Sequence, residues 1–333
     1  MKKFDYCALG LMGVLVIGLI SSAVRSPIAG VTLAPRAALD GSAWAPIAPR
    51  LAALPVPDAG AIVPVSAVVP SAKPLIPTVK IVSTQFALIG YDLGAVLKGE
   101  GRVPRVLLAS IPTDIKDIRE TKVRKSIFFR TVLPLVLQVN EEIAADRERL
   151  WKIRVNRALG NRTGAIDRLW LSMVSEKYSV ERGDLDELFA RIDVVPPSLA
   201  LAQAAEESGW GTSRFVREGN AIFGQWTFKK AQSLKPKDRD AGKTHRVRAF
   251  DSLLDSVRAY VRNLNTHRAY REFRKERAAM RRDGKPVNGV ELAKTLTSYS
   301  ERGQDYVTTL RRIMGVNTLH KLDSARLRDE PSI

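Results

Sequence analysis

The stretch PPSLALAQAAEESGWG, residues 196 to 211, combines the signals for the beginning and the end of one helix. Its two prolines suit a first helical turn, where a missing N–H has no intrahelical partner to lose. Gly209 suits the position after the last turn, because glycine adopts the left-handed backbone conformation without steric cost. Leucine and alanine, which permit close packing, fill most of the interior. We therefore predict a helix over about 198–208, at the centre of a domain.

Two adjacent glutamates, Glu206 and Glu207, fall in the last turn of this predicted helix, just before Trp210. The negative end of the helix dipole and an apolar ring nearby both disfavour a carboxylate. A glutamate held there keeps its proton to higher pH and can donate it to a leaving oxygen as a general acid. Because neighbours on a helix are about 100° apart, we expect at most one of the pair to face a groove. The alternative is that both are solvated at a frayed helix end.

Other segments of the chain have the spacing of amphipathic helices, with apolar residues recurring every three or four positions. They are residues 124–153, 163–178, 184–193 and 251–265. Pro134 predicts a kink or a boundary in the first of them, and Asp251 is the predicted cap of the last. Short loops between such helices predict a compact, mainly α-helical domain.

The N-terminal part of the chain has a different composition. Residues 1–24 join a short basic head to an apolar run, which is typical of an export signal or a membrane anchor. Residues 25–78 contain ten of the 18 prolines, and this density predicts an extended tether. The apolar region 81–97 is interpreted as a hairpin or strand. Whether or not the first segment is cleaved, we expect the bulk of the chain to leave the cytoplasm.

Charge and residue counts restrict the classes of function. The net charge of +18 predicts a positive surface that attracts polyanions such as nucleic acid, anionic lipid or anionic cell wall. In the most basic helical segment, 271–285, acids are mixed with the bases, which favours a solvated helix face. The only cysteine lies in the apolar N-terminal run, and the three histidines lack a metal-ligand spacing. We therefore expect no internal disulfide, no metal and no cofactor.

The block ESGWGTSRFVREGNAIFGQW (207–226) resembles the signature of the glycoside hydrolase family 73 glucosaminidases. The segments at 128–150, 250–277 and 296–314 extend the match and resemble the Bax-like proteins of Gram-negative bacteria. The resemblance covers roughly residues 103–317. It implies a lysozyme-like α+β fold, mostly helical with a small β-lobe, in which a groove between lobes takes a glycan strand.

The activity that the resemblance implies is hydrolysis of the β-1,4 bond after N-acetylglucosamine in peptidoglycan. Domain names in this group also include a mannosyl-glycoprotein endo-β-N-acetylglucosaminidase and an amidase activity. The expected partners are peptidoglycan glycan strands and, if the first segment is uncleaved, the inner membrane. We expect a monomeric periplasmic protein that binds no nucleic acid, since export and the lack of a basic–aromatic motif argue against one. The alternative is a non-catalytic, cationic peptidoglycan-binding module.

Residues of the family signature carry over to particular positions. Glu207 matches the catalytic acid, because it directly precedes Ser-Gly-Trp-Gly, whereas Glu206 does not. Trp210 is expected to pack against the acid or to form a platform for a sugar ring, although a buried structural tryptophan is the common alternative. By the same resemblance, the asparagine, phenylalanine and glycine of the turn that opens the β-lobe are Asn220, Phe223 and Gly224. Their role is substrate binding or purely structural.

Two tyrosines match a stretch that lines the groove in the family. Tyr299 matches its first tyrosine and is expected to orient the N-acetyl group of the reactive sugar. Tyr306 matches the last tyrosine, but it also has the helical spacing of a core residue.

A second carboxylate is expected in most glycoside hydrolases. The stretch where many family members supply it, 227–250, contains no glutamate and only two acids, Asp238 and Asp240. Either is a candidate, and the N-acetyl oxygen of the substrate is a third possibility. The predicted organisation is therefore a signal or anchor (1–24), a linker (25–78), a lead-in segment (79–123), a helical part (124–195), a glucosaminidase domain with the groove (196–318) and a tail (319–333).

Overall fold

The computed structural model describes residues 77–227, 231–235 and 246–329, and within these residues the chain is mainly helical with one small sheet. The α-helices are α1 Val79–Leu88, α2 Leu93–Lys98, α3 Thr121–Ala158, α4 Ala165–Tyr178, α5 Leu185–Arg191, α6 Pro197–Ser208, α7 Arg214–Gly219, α8 Leu253–Thr266, α9 Arg271–Arg282, α10 Gly289–Ala293 and α11 Gln304–Val316. The predicted signal or anchor and nearly all of the predicted linker lie outside the described residues. None of the described helices is long and apolar enough to span a bilayer.

Helix α6 is the centre of the domain, as its composition predicts. It packs against α3, α10, α11 and the 3-10 turn Leu319–Ser324, and ten of its residues are buried. Pro196, its N-cap, has no side-chain acceptor for the first N–H groups of the helix. The carboxyl of Asp323 supplies one, because it accepts from the backbone N and the Oγ of Ser198 at 2.8 and 2.9 Å. The C-terminal region of the domain therefore caps its central helix.

Helix α3 spans 38 residues without interruption, so it is about 57 Å long. Pro134 lies inside it and marks no boundary. The apolar positions predicted from the sequence form the buried face, which packs on α6 and α8: Ile127, Phe128, Val132, Leu135, Val139 and Ile143. Helix α3 therefore supports α6 and α8, two of the helices that form the cleft described below.

The chain reverses after α6 through three successive residues with positive φ: Gly209 (56°), Trp210 (61°) and Gly211 (81°). Gly209 ends the helix, with its N–H donating to the carbonyl of Ala205. At Gly211 a side chain is excluded by space as well as by φ, since an added Cβ would lie 2.6 Å from Cδ1 of Ile111. The turn therefore lies tightly against the segment that precedes α3.

A small antiparallel sheet forms the predicted β-lobe between α7 and α8. Its strands are β1 Trp226–Thr227, β2 Ser233–Leu234 and β3 Arg246–Arg248, in the order β1-β3-β2. Trp226 pairs with Val247, and Ser233 pairs with Arg248. The lobe is thus joined to the helical part at the end of α7 and at the beginning of α8.

Two expectations from the sequence differ from the structure. Residues 81–97 form α1 and α2 rather than a hairpin or strand, because Val82 and Phe86, one helical turn apart, are buried on one face. The cap of α8 is Ser252 rather than Asp251, since Ser252 Oγ accepts from the N–H of Asp255. The described part of the predicted tail is packed into the domain, where Leu327 forms a parallel bridge with Val103.

A buried ionic network fixes α8 and α9 relative to α3. The guanidinium of Arg277 is fully buried and donates to the carbonyls of Asp193, Val194 and Ala190 and to Oδ1 of Asn265. The buried carboxylate of Asp193 accepts two hydrogen bonds from Arg281, and Arg147 of α3 lies 3.7 Å away. Burial by itself raises the pKa of Asp193, but the surrounding arginines outweigh it and hold that pKa below its usual value.

Candidate active site

An open cleft of about 410 Å³ lies beside the C-terminal end of α6. Helix α8, the loop between α10 and α11, and the beginning of the β-lobe supply its other walls. The residues that line it are Glu206, Glu207, Phe223, Gly224, Gln225, Trp226, Arg248, Ala259, Arg262, Asn263, Thr266, Tyr270, Tyr299, Ser300, Arg302 and Tyr306. Both glutamates of the opening stretch therefore face the cleft, whereas the sequence predicted that at most one would.

Glu207 is half-buried at the wall of this cleft. Burial raises its pKa to about 7, and the negative charge of Glu206 acts in the same direction. Two groups act in the opposite direction: the hydroxyl of Tyr306, which donates to Oε1 of Glu207 at 2.8 Å, and the charge of Arg302. A carboxyl with a pKa near 7 is substantially protonated at neutral pH, so it can act as a proton donor.

Aromatic rings form the surroundings that desolvate Glu207. Tyr299 and Tyr306 stack with ring centroids 5.4 Å apart and planes within 4°, and Tyr270 lies 5.7 Å from Tyr299. Burial and the negative charge of Glu207 raise the pKa of Tyr299 and of Tyr306 well above the usual value. Both hydroxyls therefore stay neutral. The structure brings both predicted tyrosines to the cleft, and Tyr306, whose spacing also suited a core residue, is the one that donates to Glu207.

Glu206 has a different environment from Glu207. Its carboxylate accepts a hydrogen bond of 2.6 Å from Arg302, which also donates to Thr309. The side chain of Glu206 is 19% exposed and that of Arg302 is 39% exposed, so the pair lies at the rim of the cleft. The two adjacent glutamates thus differ in their partners: a cation for Glu206 and a neutral hydroxyl for Glu207.

Trp210 lies elsewhere, so the expectation that it packs on the acid or forms a sugar platform in the cleft is wrong. Its indole packs edge-on against Phe128 and Phe129, with ring centroids 6.0 and 5.4 Å away, and Lys125 lies over its face. The cause is the left-handed turn at Gly209, which directs the next side chain towards α3. Tyrosines, rather than this indole, provide the apolar surroundings of Glu207.

The residues matched to the turn at the β-lobe have two different positions. Asn220 ends α7 with a φ of 50° and donates to the carbonyls of Phe250 and Asp251, so it joins α7 to the beginning of α8. It does not line the described part of the cleft. Phe223 and Gly224 do, and the ring of Phe223 stacks on Tyr260 at a centroid distance of 3.8 Å.

The two aspartates considered as second carboxylate, Asp238 and Asp240, lie outside the described residues. Within the described part of the cleft, Glu206 and Glu207 are the only carboxylates. No cluster of three or more potential metal ligands occurs among the described residues.

Sequence reasoning did not single out several cleft residues. Trp226 follows the turn at Phe223 and places an indole at the wall of the cleft. The feature of the sequence that could have identified it is an aromatic residue soon after this turn. Arg262 and Asn263 lie on the exposed side of α8, which the periodicity assigned to scaffold. Their signal is weak, because a polar helix face is usually only solvated.

Comparison with known proteins agrees with this site. Residues 185–319 match the model of the glucosaminidase family, described as mannosyl-glycoprotein endo-beta-N-acetylglucosaminidase. The chain is 33% identical over 204 residues to Protein bax of Escherichia coli (strain K12), which covers 60% of this chain and 71% of that protein. The chain belongs to this Bax-like family of glucosaminidase-domain proteins. It therefore carries a glycoside hydrolase domain, and the matched range includes every residue of the cleft.

A solved structure was also found, the catalytic domain of the autolysin Auto from Listeria monocytogenes. It is 16% identical, covers 51% of this chain and 95% of its own chain, and has a TM-score of 0.31. A TM-score at this level is too low to establish a shared fold.

Proposed function

We propose that this protein is a peptidoglycan hydrolase, an endo-β-N-acetylglucosaminidase that cleaves the β-1,4 bond after N-acetylglucosamine. The observation that supports the proposal most directly is the carboxyl of Glu207, held in the cleft of a glucosaminidase domain with a pKa of about 7. We also propose that the domain works as lysozyme-like enzymes do, with the glycan strand in the cleft between the helical part and the β-lobe.

In the proposed reaction, Glu207 gives its proton to the glycosidic oxygen while the bond from that oxygen to the anomeric carbon breaks. The leaving strand departs as an alcohol, and Glu207 is left as a carboxylate. It then takes a proton from the water that completes hydrolysis, which returns it to the acid form. Tyr306 stabilises the carboxylate between these steps, since its hydroxyl donates to Oε1.

The substrate is proposed from the chemistry of the cleft walls. Trp226 and Tyr299, both partly exposed at the cleft, offer aromatic surface to sugars, while Arg248 and Arg262 add positive charge. Peptidoglycan supplies sugar rings together with the carboxylates of its stem peptides, and the net charge of +18 favours its approach. The periplasm, with the N-terminal segment as signal or anchor, is the location that we propose, on the basis of residues 1–24 alone.

Substitution of the acid tests the proposal. Glu207→Gln keeps the shape of the side chain but removes the proton, so release of reducing ends from purified sacculi should fall by about 10²–10⁴-fold. Glu206→Gln, the matched control at the adjacent position, should reduce the rate much less. Mass spectrometry of the products should find N-acetylglucosamine at the new reducing ends.

The same experiment distinguishes the alternative of a binding module. A non-catalytic module would sediment with sacculi but release no reducing ends, either as wild type or as a variant. Retention of near wild-type hydrolysis by folded Glu207→Gln would show that another group is the acid.

A further inference from the structure

The carboxyl of Glu207 is the end of a chain of buried hydrogen bonds that begins on a different helix. The hydroxyl of Tyr260 (α8) donates to Oε1 of Gln203 at 2.7 Å. Nε2 of Gln203 (α6) donates to the hydroxyl of Tyr306 (α11) at 3.0 Å. Tyr306 in turn donates to Glu207 at 2.8 Å. Gln203 and Tyr260 are both 0% exposed, so water does not compete for these bonds.

We infer that Gln203 and Tyr260 are positioning residues that fix the direction of this chain, so that Tyr306 always donates to Glu207 and never accepts its proton. The inference rests on the proposed function of Glu207 as general acid. It assigns a task to two residues that touch neither the cleft nor the substrate.

The amide of Gln203 sets the direction of these hydrogen bonds. An amide has an acceptor end and a donor end, and each end can serve only matching partners. Because Tyr260 donates to Oε1, the opposite end, Nε2, is directed at Tyr306. The hydroxyl of Tyr306 therefore accepts from Gln203, and its single proton is left for Glu207.

The direction of these hydrogen bonds determines which of the two oxygens of Glu207 carries the proton. Oε1 accepts from Tyr306 whether the carboxyl is ionised or neutral, so the acid proton is kept on the other oxygen. A proton shared with Tyr306 would be held inside the protein, where a glycosidic oxygen cannot reach it. The chain thus keeps the proton on the oxygen that is free of Tyr306.

Packing holds the side chains of these hydrogen bonds in place. Tyr260 stacks on Phe223 with planes within 6° of each other, and Tyr306 stacks on Tyr299. Helix α6 supplies both Gln203 and Glu207, one turn apart, so the two side chains lie on the same face. The charged groups that act on Glu207 are Glu206 on the same helix and Arg302 in the loop before α11. The charge of Glu207 acts in turn on the tyrosines at 260, 270, 299 and 306 and raises the pKa of each.

Substitution of Gln203 by glutamate should reverse the direction of the hydrogen bond between position 203 and Tyr306. In its ionised form, a glutamate at this position accepts from Tyr260 and from Tyr306, so Tyr306 no longer donates to Glu207. The ionised form of Glu207 then loses a hydrogen bond and gains a negative neighbour, and its pKa should rise by at least about one unit. Gln203→Met removes the donor to Tyr306, which can then accept the acid proton, and the rate of hydrolysis at pH 6 should fall about fivefold or more.

The titration of Glu207 is followed by NMR of the carboxyl carbon in protein labelled with ¹³C-glutamate, with Glu207→Gln used to assign the signal. This measurement needs no substrate, so it remains valid if the wild type proves not to cleave peptidoglycan. The pH profile of reducing-end release is recorded in parallel. Thermal unfolding verifies that each variant folds cooperatively.

Tyr260→Phe is the milder variant, because its ring can keep the stack on Phe223. It removes the donor that orients Gln203, so it should shift the titration of Glu207 upwards by less than Gln203→Glu does. Tyr91→Phe is the matched control: it removes another buried hydroxyl, one without a hydrogen-bond partner among the described residues and outside the cleft. It should leave both the titration and the pH profile unchanged.

The inference is overturned if the folded variants at 203 and 260 titrate at Glu207 as the wild type does and keep its pH profile. A shift of the Glu207 pKa to lower values would also overturn it, since that result means that Tyr306 normally accepts the acid proton.

Discussion

Replacement of Tyr306 by phenylalanine tests the hydrogen bond that this residue makes to Glu207. The ring can keep its stack on Tyr299, and only the hydroxyl oxygen is lost. The 2.8 Å bond to Glu207 is stronger when that carboxyl is ionised, so its loss disfavours the carboxylate. A hydrogen bond to a charged group contributes about 1.5–3 kcal/mol, and one pKa unit corresponds to about 1.4 kcal/mol. The pKa of Glu207 should therefore rise from about 7 by roughly one to two units.

The sign of the effect on activity follows from the role of the acid. In the proposed reaction Glu207 is active when protonated, so the rate falls as pH rises through its pKa. In the variant this fall should occur at a pH that is one to two units higher, as measured by initial rates of reducing-end release at low substrate between pH 5 and 10. Stability should fall by about 1–3 kcal/mol, because Nε2 of Gln203 loses its acceptor. If the rate of the variant falls at the same pH as that of the wild type, or at a lower pH, the assignment of Tyr306 as donor to Glu207 is refuted.

Two further substitutions test charges around the site. Arg302→Gln removes a cation that lowers the pKa of Glu207, so the alkaline fall in activity should move to higher pH, and the shift should shrink if it is measured at high salt. Asp193→Asn leaves the buried Arg277 and the partly exposed Arg281 without their carboxylate and should destabilise the domain by about 3–5 kcal/mol at pH 7 in urea unfolding. Because the folded pKa of Asp193 is lowered, its contribution is present above the unfolded value and is lost as pH falls through the folded one. The difference between wild type and variant should therefore decrease in acid, and a constant difference would contradict this assignment.

Local signals in the sequence were sufficient for α6 and for its last turn. The flanking prolines and Gly209 define the ends of the helix without any knowledge of its neighbours, and the observed bounds, Pro197–Ser208, confirm the prediction. The raised pKa of Glu207 was also expected, but for a partly wrong reason. The residues that surround Glu207 in the cleft are distant in sequence, such as Tyr306, which is 99 positions away.

The position of Trp210 shows why adjacency in sequence is a poor guide at a turn. The residue is three positions from the acid, but consecutive left-handed residues reverse the chain between them and direct the indole to Phe128 and Phe129. A tryptophan that follows a helix C-cap can lie on either side of the turn. The choice depends on which side offers an apolar surface, and here α3 offers it.

Buried polar side chains were the least predictable feature. Arg277 lies in a segment of alternating charge whose pattern indicates a solvated helix face, but its partners include carbonyls 83 to 87 positions away. Gln203 lies among leucines and alanines, where its amide has partners only because α8 and α11 each bring a tyrosine to it. Periodicity identifies the buried face of a helix, but it does not identify the partners that make a buried polar group stable.

The two adjacent, chemically identical glutamates differ because distant residues give them different partners. Helix geometry separates their side chains by about 100°, and at this helix end both directions open on the cleft. One direction leads to the rim, where Arg302 binds the carboxylate of Glu206 as an ion pair. The other leads to the tyrosines, where a neutral hydroxyl is the partner and burial keeps the proton on Glu207 up to a pH of about 7. The negative charge of Glu206 raises the pKa of Glu207 further, so Glu206 helps its neighbour to keep the proton that the proposed reaction uses.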